Sequence, residues 1–228
     1  MGMLIGLAPQ ISVMIDLHTH SIFSDGELIP SELVRRAVVH GYSAIAITDH
    51  VDFTNIEFVL DAMKKTSFLE EEWGIRVLTG VELTHVPPGK IARLADKARS
   101  LGADIIVVHG ETTSEPVAPG TNAAALRSDI DILAHPGLIT TDEVECAREN
   151  GVLLEITARC GHNRTNGYVA RIACEIGCDL IVNTDAHAPD DLITEEMALT
   201  VAMGAGLTER DCVAAVRTNP KRLIDAKG

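Results

Sequence analysis

The feature that most constrains the fold of this 228-residue chain is a unit that recurs seven times: a short apolar run followed by a stretch with helical periodicity. In the first unit "VMIDL" precedes a helical pattern from about Pro30 to His40, where Pro30 suits the first turn and Gly41 the end. The later runs are "SAIAIT", "IRVLTGVEL", "DIIVV", "DILA", "VLLEIT" and "DLIVNT". Runs apolar on both faces are typical of parallel strands covered by helices. Seven units predict an α/β fold, a distorted (β/α)7 TIM-like barrel one strand short of eight.

The stretches between the runs predict the remaining layout. A long helix is expected through "NIEFVLDAMKKTSFLEEEWG", a short one near Asn122 to Ser128, and two helices after the last strand. An open doubly wound sheet is the alternative fold, but no glycine-rich phosphate loop follows the first run. No linker or repeat divides the sequence, so we expect a single domain over residues 1–228, with residues 1–13 as a candidate N-terminal extension before the first motif.

The opening segment and the cysteines predict a cytoplasmic protein. "MGMLIGLAPQISV" is apolar, but it lacks the basic start and the cleavage site of a secretory signal. No apolar run approaches the roughly 20 residues of a membrane span, so no membrane partner is expected. The five cysteines are odd in number and include no C-x-x-C pair, which favours structural thiols in a reducing compartment.

Histidines concentrate where the predicted strands end. Windows of about three residues after seven strands cover roughly a tenth of the chain, so about one of the nine histidines should fall there by chance. Six do: His18, His20, His50, His109, His135 and His187. Asp25, Glu82 and Asp185 are near the same ends. The C-terminal face of such a barrel is where active sites are built.

So many imidazoles and carboxylates at one place indicate bound metal. Without a cation between them they would repel one another or remain poorly solvated. His18 and His20, at i and i+2 on an extended segment, point the same way and form the first pair. Mixed imidazole and carboxylate ligands suit divalent Zn, Mn or Fe better than Mg or Ca, and there are too many ligands for one ion.

At these residues the sequence resembles the PHP (polymerase and histidinol phosphatase) family of metal-dependent phosphoesterases. The motifs are "DLHTHSIFSDG", "AIAITDH", "LTGVEL", "VVHGE", "LAHPG" and "NTDAH", which run from Asp16 to His187 in the family's order. The closing "TNPKRLI" is similar to the family's C-terminal helix. The family's fold is a distorted (β/α)7 barrel, in agreement with the unit count.

The resemblance implies three divalent transition-metal ions, Zn, Mn or Fe. His18, His20, Glu82 and Asp185 would hold the first ion. Glu82 would bridge to the second, held with His109 and His135. Asp25, His50 and His187 would hold the third. Glu82, Asp185 and His187 are the residues on which we expect catalysis to depend most directly.

The chemistry expected of such a site is phosphoester hydrolysis, in which neighbouring metals activate a water and neutralise phosphoryl oxygens. After the sixth strand "ITARCGHNRTNG" places Arg159 and Arg164 in a polar loop on the active face, and both are candidates for binding the substrate phosphate. The alternative for Arg159 is pairing with a nearby carboxylate. Cys160 is expected to be a spectator.

Two further residues have open assignments. Asp49 precedes the ligand candidate His50 and either orients a neighbouring ligand or caps its loop. His85 follows "GVELT" and could reach the rim of the site, although a role there is the less favoured reading.

The charge of the chain favours a small substrate. The formal net charge is −14 and the aromatic content 3%, which disfavours electrostatic binding or base stacking along a long nucleic acid. We therefore predict a phosphomonoesterase for a small soluble phosphate ester, with L-histidinol phosphate as the family's leading candidate. The oligomeric state, including a homo-oligomer, stays open.

Three alternatives remain. A nucleotide or short-oligonucleotide phosphoesterase would use the same trinuclear site. The amidohydrolase superfamily also opens with H-x-H, but it would require a metal-bridging lysine at the fourth strand's end, where this chain has His109. A non-catalytic metal-binding module is disfavoured because no ligand position of the family is substituted.

Overall fold

The computed structural model describes residues 14–227, and the predicted extension of residues 1–13 lies outside them. The strands are β1 (Met14–Asp16), β2 (Tyr42–Ile47), β3 (His50–Val51), β4 (Arg76–Leu83), β5 (Ile105–His109), β6 (Ile132–Ala134), β7 (Leu153–Thr157) and β8 (Leu180–Asn183). All pairings are parallel, in the order β1-β2-β4-β5-β6-β7-β8, with β3 paired to β4. A parallel bridge between Thr19 and Ala186 joins the segments that follow the first and last strands, so the barrel is nearly closed.

The predicted seven-stranded barrel is confirmed, with one refinement in the second strand. β3 is a two-residue continuation beyond β2, and it pairs His50 with Glu82 and Val51 with Leu83. The intervening residues, Thr48 and Asp49, are fully buried. The second unit therefore contributes two short strands, and the second of them sets His50 directly beside Glu82.

Helices follow the strands as the seven-unit pattern predicts. They are α1 (Pro30–Val39), α2 (Ile56–Met63), α3 (Phe68–Trp73), α4 (Ile91–Ser100), α5 (Thr121–Ala125), α6 (Thr141–Asn150), α7 (Asn166–Ile176), α8 (Glu195–Gly204), α9 (Glu209–Val213) and α10 (Asn219–Asp225). A π-helical turn, Ala214–Thr218, joins α9 to α10. Within residues 14–227 no helix combines the length and hydrophobicity that a membrane crossing requires.

Two predicted helices differ in extent. The stretch expected as one long helix is divided into α2 and α3 by a 3-10 turn, Lys64–Thr66. The hydroxyl of buried Thr66 donates to the carbonyl of Met63 at 2.7 Å, a local bond that competes with the continuing helix. The short helix expected near Asn122 to Ser128 is α5, which begins and ends earlier.

Side chains alternate along each strand, so that one set packs inside the barrel and the other packs against the helices. Leu78, Ile105 and Leu153 pack in the barrel interior, with Ile224 of α10 in the same cluster. Residues of the opposite parity, such as Val81 and Val108, pack against the surrounding helices. Because strand side chains alternate, residues two or four positions after an interior residue also face inward. Near the C-terminal ends the inward positions are polar, and they form the floor of the candidate site.

Candidate metal centre

His18 and His20 extend from β1 into the closed end of the barrel and are almost fully buried, at 0% and 1% exposure. Their Nε2 atoms lie 3.4 and 3.6 Å from Glu82 carboxylate oxygens. The same two nitrogens lie 3.7 and 3.3 Å from Asp185 Oδ1. The i, i+2 spacing thus aims both imidazoles at one pair of carboxylates, as the sequence predicts.

Glu82 lies at the centre of the site because of its position on β4. It is four residues after the interior residue Leu78, so it points into the barrel, and its side chain is fully buried. Its oxygens lie 2.7 Å from His50 Nδ1 and 3.7 Å from His135 Nε2, in addition to the contacts with His18 and His20. One carboxylate therefore contacts four of the six strand-end histidines.

All the predicted ligands except Asp185 belong to compact groups in which the ligand atoms lie within 4.8 Å of one another, and one group includes Glu155, which was not predicted. The groups are His18 with His20 and Glu82; Glu82 with His109 and His135; His20 with Asp25, His50 and His187; and His18 with His135 and Glu155. The second group is the set expected for one ion, and the first lacks only Asp185, which lies close to both its histidines. The third group contains the set expected for another ion, with His20 added.

The geometry of these groups fits bound metal. Two ligands of a tetrahedral zinc with bonds of 2.0–2.1 Å are about 3.4 Å apart. The separations of 3.3–3.7 Å around His18 and His20 match this value. Within residues 14–227 His18 Nε2, both ring nitrogens of His20 and Glu82 Oε1 are buried without a hydrogen-bond partner. Buried polar atoms are rarely left in this way, and a shared cation would satisfy them.

Two ligand candidates occupy unusual backbone conformations. His135 and Asp185 have φ values of 28° and 55°, in the left-handed region that non-glycine residues seldom adopt. Each such residue costs of order 1–3 kcal/mol and persists only when its surroundings enforce it. Both residues directly follow a strand or lie near its end, and the turn points their side chains at Glu82 and at each other, with His135 Nε2 3.6 Å from Asp185 Oδ2.

The protein groups alone produce strongly opposed charges. Burial disfavours a charged His18, but the carboxylates of Glu155, Glu82 and Asp185 outweigh it and raise the pKa of His18 well above its usual value. Burial also opposes ionisation of Glu82, yet His18 and His50 hold its pKa well below the usual range. Burial, with nearby Glu82, raises the pKa of Asp185 to about 7. Without metal, a proton on His18 thus balances the buried carboxylates, and a bound divalent cation would supply this positive charge instead.

Glu155 on β7 is a site residue that the sequence analysis missed. It is fully buried, and its Oε2 lies 2.7 Å from His18 Nδ1. The side-chain amide of Asn183 donates to the same oxygen at 3.0 Å. The signal was present: Glu155 is the charged residue inside the apolar run "VLLEIT", two positions after the interior residue Leu153. A carboxylate at an inward position of a barrel strand indicates a polar function.

Asp49 caps a loop, one of the two roles that its position left open. Its carboxylate accepts hydrogen bonds from the backbone and hydroxyl of Ser21, at 2.7 and 2.6 Å, and from the hydroxyl of Ser24 at 2.7 Å. This loop carries Asp25, whose Oδ1 lies 3.4 Å from His50 Nε2 and 3.2 Å from Nε2 of His187. Asp49 therefore fixes the segment that brings Asp25 to the two histidines.

Arg159 reaches the site, and Arg164 does not line the same cavity. The cavity over the ligands is lined by Asp25, His50, His109, Glu115, His135, Arg159, His162, Asp185 and His187. Arg159 donates to the backbone carbonyl of Asp185 at 3.2 Å and lies 3.5 Å from the carboxylate of Asp191. Arg159 thus pairs with a carboxylate, as its alternative reading predicts, and it also lines the cavity; its binding of phosphate stays a prediction. Arg164 is exposed, and its binding of phosphate stays a prediction.

The loop after β5 adds a carboxylate to the rim. Glu115 Oε2 lies 3.3 Å from both His109 Nε2 and His85 Nε2, and its Oε1 lies 3.5 Å from His162 Nε2. The neighbouring His109 holds the pKa of Glu115 at about 2. His162 is 8% exposed, and its Nδ1 lies 2.8 Å from the hydroxyl of Thr112. His85 therefore does reach the rim, and His162, from the polar loop expected on the active face, is part of the wall.

The cysteines are free thiols in the structure. Cys178 and Cys212 are buried, and burial raises the pKa of Cys178 to about 12. Cys160 is exposed and is not among the residues that line the cavity described above. The expectation of structural or spectator thiols therefore agrees with their positions.

Sequence comparison relates the chain to a protein family and to several proteins of other organisms. The model of the PHP domain matches residues 16–193. An uncharacterised protein of Methanocaldococcus jannaschii is 53% identical over 215 residues, which cover 92% of this chain and 97% of the relative. The ribonuclease P protein component 3 of Methanosarcina mazei is 30% identical and covers 92% of this chain, with 87% of the relative matched. A probable phosphatase of Thermoanaerobacter sp. is 26% identical, with 87% and 89% covered.

Among solved structures, a histidinol phosphate phosphatase from Lactococcus lactis, complexed with zinc, L-histidinol and phosphate, shares the fold. The TM-score is 0.59 at 16% identity, with 94% of each chain covered. Identity this low supports the architecture alone. The expected exclusion of nucleic-acid partners gains no support from these comparisons, because one set of relatives carries the name of a ribonuclease P component.

Proposed function

The chain belongs to the PHP domain family, and on that premise we propose that it is a metal-dependent phosphomonoesterase acting on a small soluble phosphate ester, such as histidinol phosphate. The observation that carries the proposal is the position of Glu82. Its buried carboxylate belongs to two of the compact ligand groups and contacts His50 of a third. A carboxylate shared in this way is what a multinuclear hydrolytic site requires.

The ligand assignment remains the one that the family resemblance implies. His18, His20, Glu82 and Asp185 would hold one ion, Glu82, His109 and His135 the second, and Asp25, His50 and His187 the third. When bound, such ions supply an activated water and charge neutralisation for the phosphoryl group. Zn, Mn and Fe all suit these ligands. The completeness of the set favours catalysis over a purely structural metal site.

The remaining steps fall to the protein's own residues. Arg159 faces the cavity at 30% side-chain exposure, with its guanidinium already held beside Asp185 and Asp191. A guanidinium fixed in this way can orient phosphate oxygens without losing much conformational freedom on binding. Asp49 holds the loop that carries Asp25, and the buried strand ends keep the histidines rigid. Positioning and charge are the main demands of phosphoryl transfer.

The direct test of the substrate class is a comparison of four substrates under identical metal and salt conditions: histidinol phosphate, AMP, p-nitrophenyl phosphate and a single-stranded oligonucleotide. We expect hydrolysis of the small monoesters to be much faster than that of the oligonucleotide, because a chain of net charge −14 repels an extended polyanion. Chelator should abolish all of it. A clear preference for the oligonucleotide would contradict the small-substrate proposal.

The second candidate is a nucleotide or short-oligonucleotide phosphoesterase that uses the same site. Its support is the 30% identity to the ribonuclease P protein component 3 of Methanosarcina mazei. In the four-substrate comparison this candidate requires the oligonucleotide, or AMP above the other monoesters, to be the best substrate. Activity without any dependence on metal would contradict both candidates.

Arg159→Ala is expected to raise KM for p-nitrophenyl phosphate about tenfold while the metal content is unchanged. The reason is that Arg159 is proposed to bind the phosphate and belongs to none of the ligand groups, and one charge-assisted hydrogen bond contributes about 1.5–3 kcal/mol. Arg164→Ala is the matched comparison, since Arg164 comes from the same loop. If Arg164→Ala raises KM and Arg159→Ala does not, the assignment is reversed.

A further inference from the structure

Glu155 is a buried carboxylate that no predicted ligand set uses, and its contacts suggest what it does. It lies on β7 with no exposed surface, and Oε2 accepts the amide of Asn183 at 3.0 Å while lying 2.7 Å from His18 Nδ1. The carbonyl oxygen of the same Asn183 side chain, Oδ1, accepts the backbone N–H of Leu17 at 3.0 Å. Asn183 thus ties Glu155 to the main chain immediately after β1, at the residue that precedes His18.

The distances determine which nitrogen of His18 is available to a ligand. A carboxylate only accepts hydrogen bonds, so the short contact requires the proton of His18 to be on Nδ1. Nε2 is then the nitrogen that an ion would take in place of a proton, and it lies 3.4 and 3.7 Å from the oxygens of Glu82 and Asp185. Within the described residues this Nε2 has no hydrogen-bond partner. The tautomer and the aim of the ring therefore both follow from Glu155.

We propose that Glu155, clamped by Asn183, is a positioning residue that fixes His18 with Nδ1 protonated and Nε2 toward the metal. It thereby sets the affinity of the one ion that His18 holds. A carboxylate behind a ligand imidazole makes the ring more basic and limits its rotation, and loss of such a partner lowers metal affinity about 10- to 100-fold. This inference rests on the proposed metal site.

The competing arrangement makes Glu155 itself a ligand. His18, His135 and Glu155 also form a compact group. An ion there would take either His18 Nδ1 or the second carboxylate oxygen, Oε1, which has no hydrogen-bond partner among residues 14–227. The contact of 2.7 Å between Nδ1 and Oε2 leaves no space for an ion between these two atoms, since zinc ligands are about 3.4 Å apart.

The variant that tests the inference is Glu155→Gln. The glutamine oxygen can accept from both His18 and Asn183, and its NH2 group replaces Oε1, which has no hydrogen-bond partner among residues 14–227. The fold and the hydrogen bonds are thus retained while the charge is removed. Zinc titrated against a chromogenic chelator should show one ion bound about 10- to 100-fold more weakly, with the others unchanged.

Asp16→Asn is the matched control. Asp16 is equally buried, but it accepts from the hydroxyl of Thr184 at 2.5 Å and from the backbone N–H of His18, and it does not contact the His18 ring. Removal of this charge should leave every zinc affinity unchanged. Equal losses in both variants would mean a general loosening of the barrel end and would overturn the inference, as would an unchanged affinity in Glu155→Gln.

A measurement on the unmodified chain covers the case in which Glu155→Gln does not fold. In the zinc-loaded protein, two-bond ¹H–¹⁵N spectra of the histidine rings should show His18 coordinated through Nε2 and protonated on Nδ1. Coordination through Nδ1 would overturn the inference. If the chain binds no zinc at all, the proposed function fails, whereas normal zinc binding with the wrong His18 tautomer contradicts only the role of Glu155.

Discussion

Glu82→Gln is expected to reduce turnover of p-nitrophenyl phosphate by about 100- to 1,000-fold at saturating metal. Glu82 is buried among His18, His20, His50 and His135, and it belongs to two ligand groups. A glutamine has one oxygen where the carboxylate has two, and it carries no charge, so it cannot hold two ions at the separation that activates a shared water. The loss should therefore appear in kcat rather than in KM alone.

Asp25→Asn is the matched comparison for Glu82→Gln. Asp25 contacts only the His50 and His187 pair within the site, and its side chain is 59% exposed. An asparagine there retains an oxygen for the ion and disturbs one group, so we expect a loss of about tenfold or less at saturating metal. Circular dichroism should show both variants folded. If Asp25→Asn is the weaker enzyme, Glu82 is not the bridge between two ions.

The residues at the strand ends could be predicted to lie close together because all the strands of a parallel barrel end at the same face. Each strand of the parallel barrel runs in the same direction, so His109 and Glu82, 27 residues apart in the sequence, still meet at one face. The i, i+2 spacing of His18 and His20 likewise depends only on local geometry. For such residues the sequence motif together with the parallel barrel is enough to predict that their side chains meet.

Glu155 and Glu115 show what the sequence does not determine. Glu155 could have been inferred from strand parity, but its partner Asn183 lies on another strand, and the pairing depends on the β7–β8 register. Glu115 lies in an irregular loop, whose path across the rim depends on many weak contacts and on no repeating pattern. The division of the long predicted helix into α2 and α3 likewise falls at a local detail, the 3-10 turn Lys64–Thr66 with its hydrogen bond from Thr66 to Met63.

Removal of metal is expected to abolish activity and to lower the melting temperature of the chain. The ligand groups bind ions only when the barrel is folded, so bound ions stabilise the native state. A single ion at 100 times its dissociation constant contributes about 2.7 kcal/mol, which corresponds to roughly 5–10 °C for a chain of this size. Dialysis against EDTA should produce this decrease in a thermal melt, and addition of Zn or Mn should reverse it.

The control for the chelator is EDTA already saturated with Zn, which has no free capacity for the protein's ions and should leave the melting temperature nearly unchanged. Because His18, His20 and Glu82 are buried together, loss of the ions leaves ligand atoms of all three residues buried without a hydrogen-bond partner among residues 14–227. The stripped chain should therefore unfold more readily, not merely lose activity. An unchanged melting temperature after complete removal of bound metal would contradict this expectation.

The central claim, a multinuclear metal site that hydrolyses phosphate esters, is tested most directly by measuring turnover against the number of ions bound. The stripped chain is titrated with Zn or Mn, bound metal is measured by elemental analysis, and p-nitrophenyl phosphate turnover is followed at each point. The account predicts that uptake continues to two or three ions per chain and that activity appears only once more than one ion is bound. At most trace metal after addition of Zn or Mn, or full activity with none bound, would contradict it.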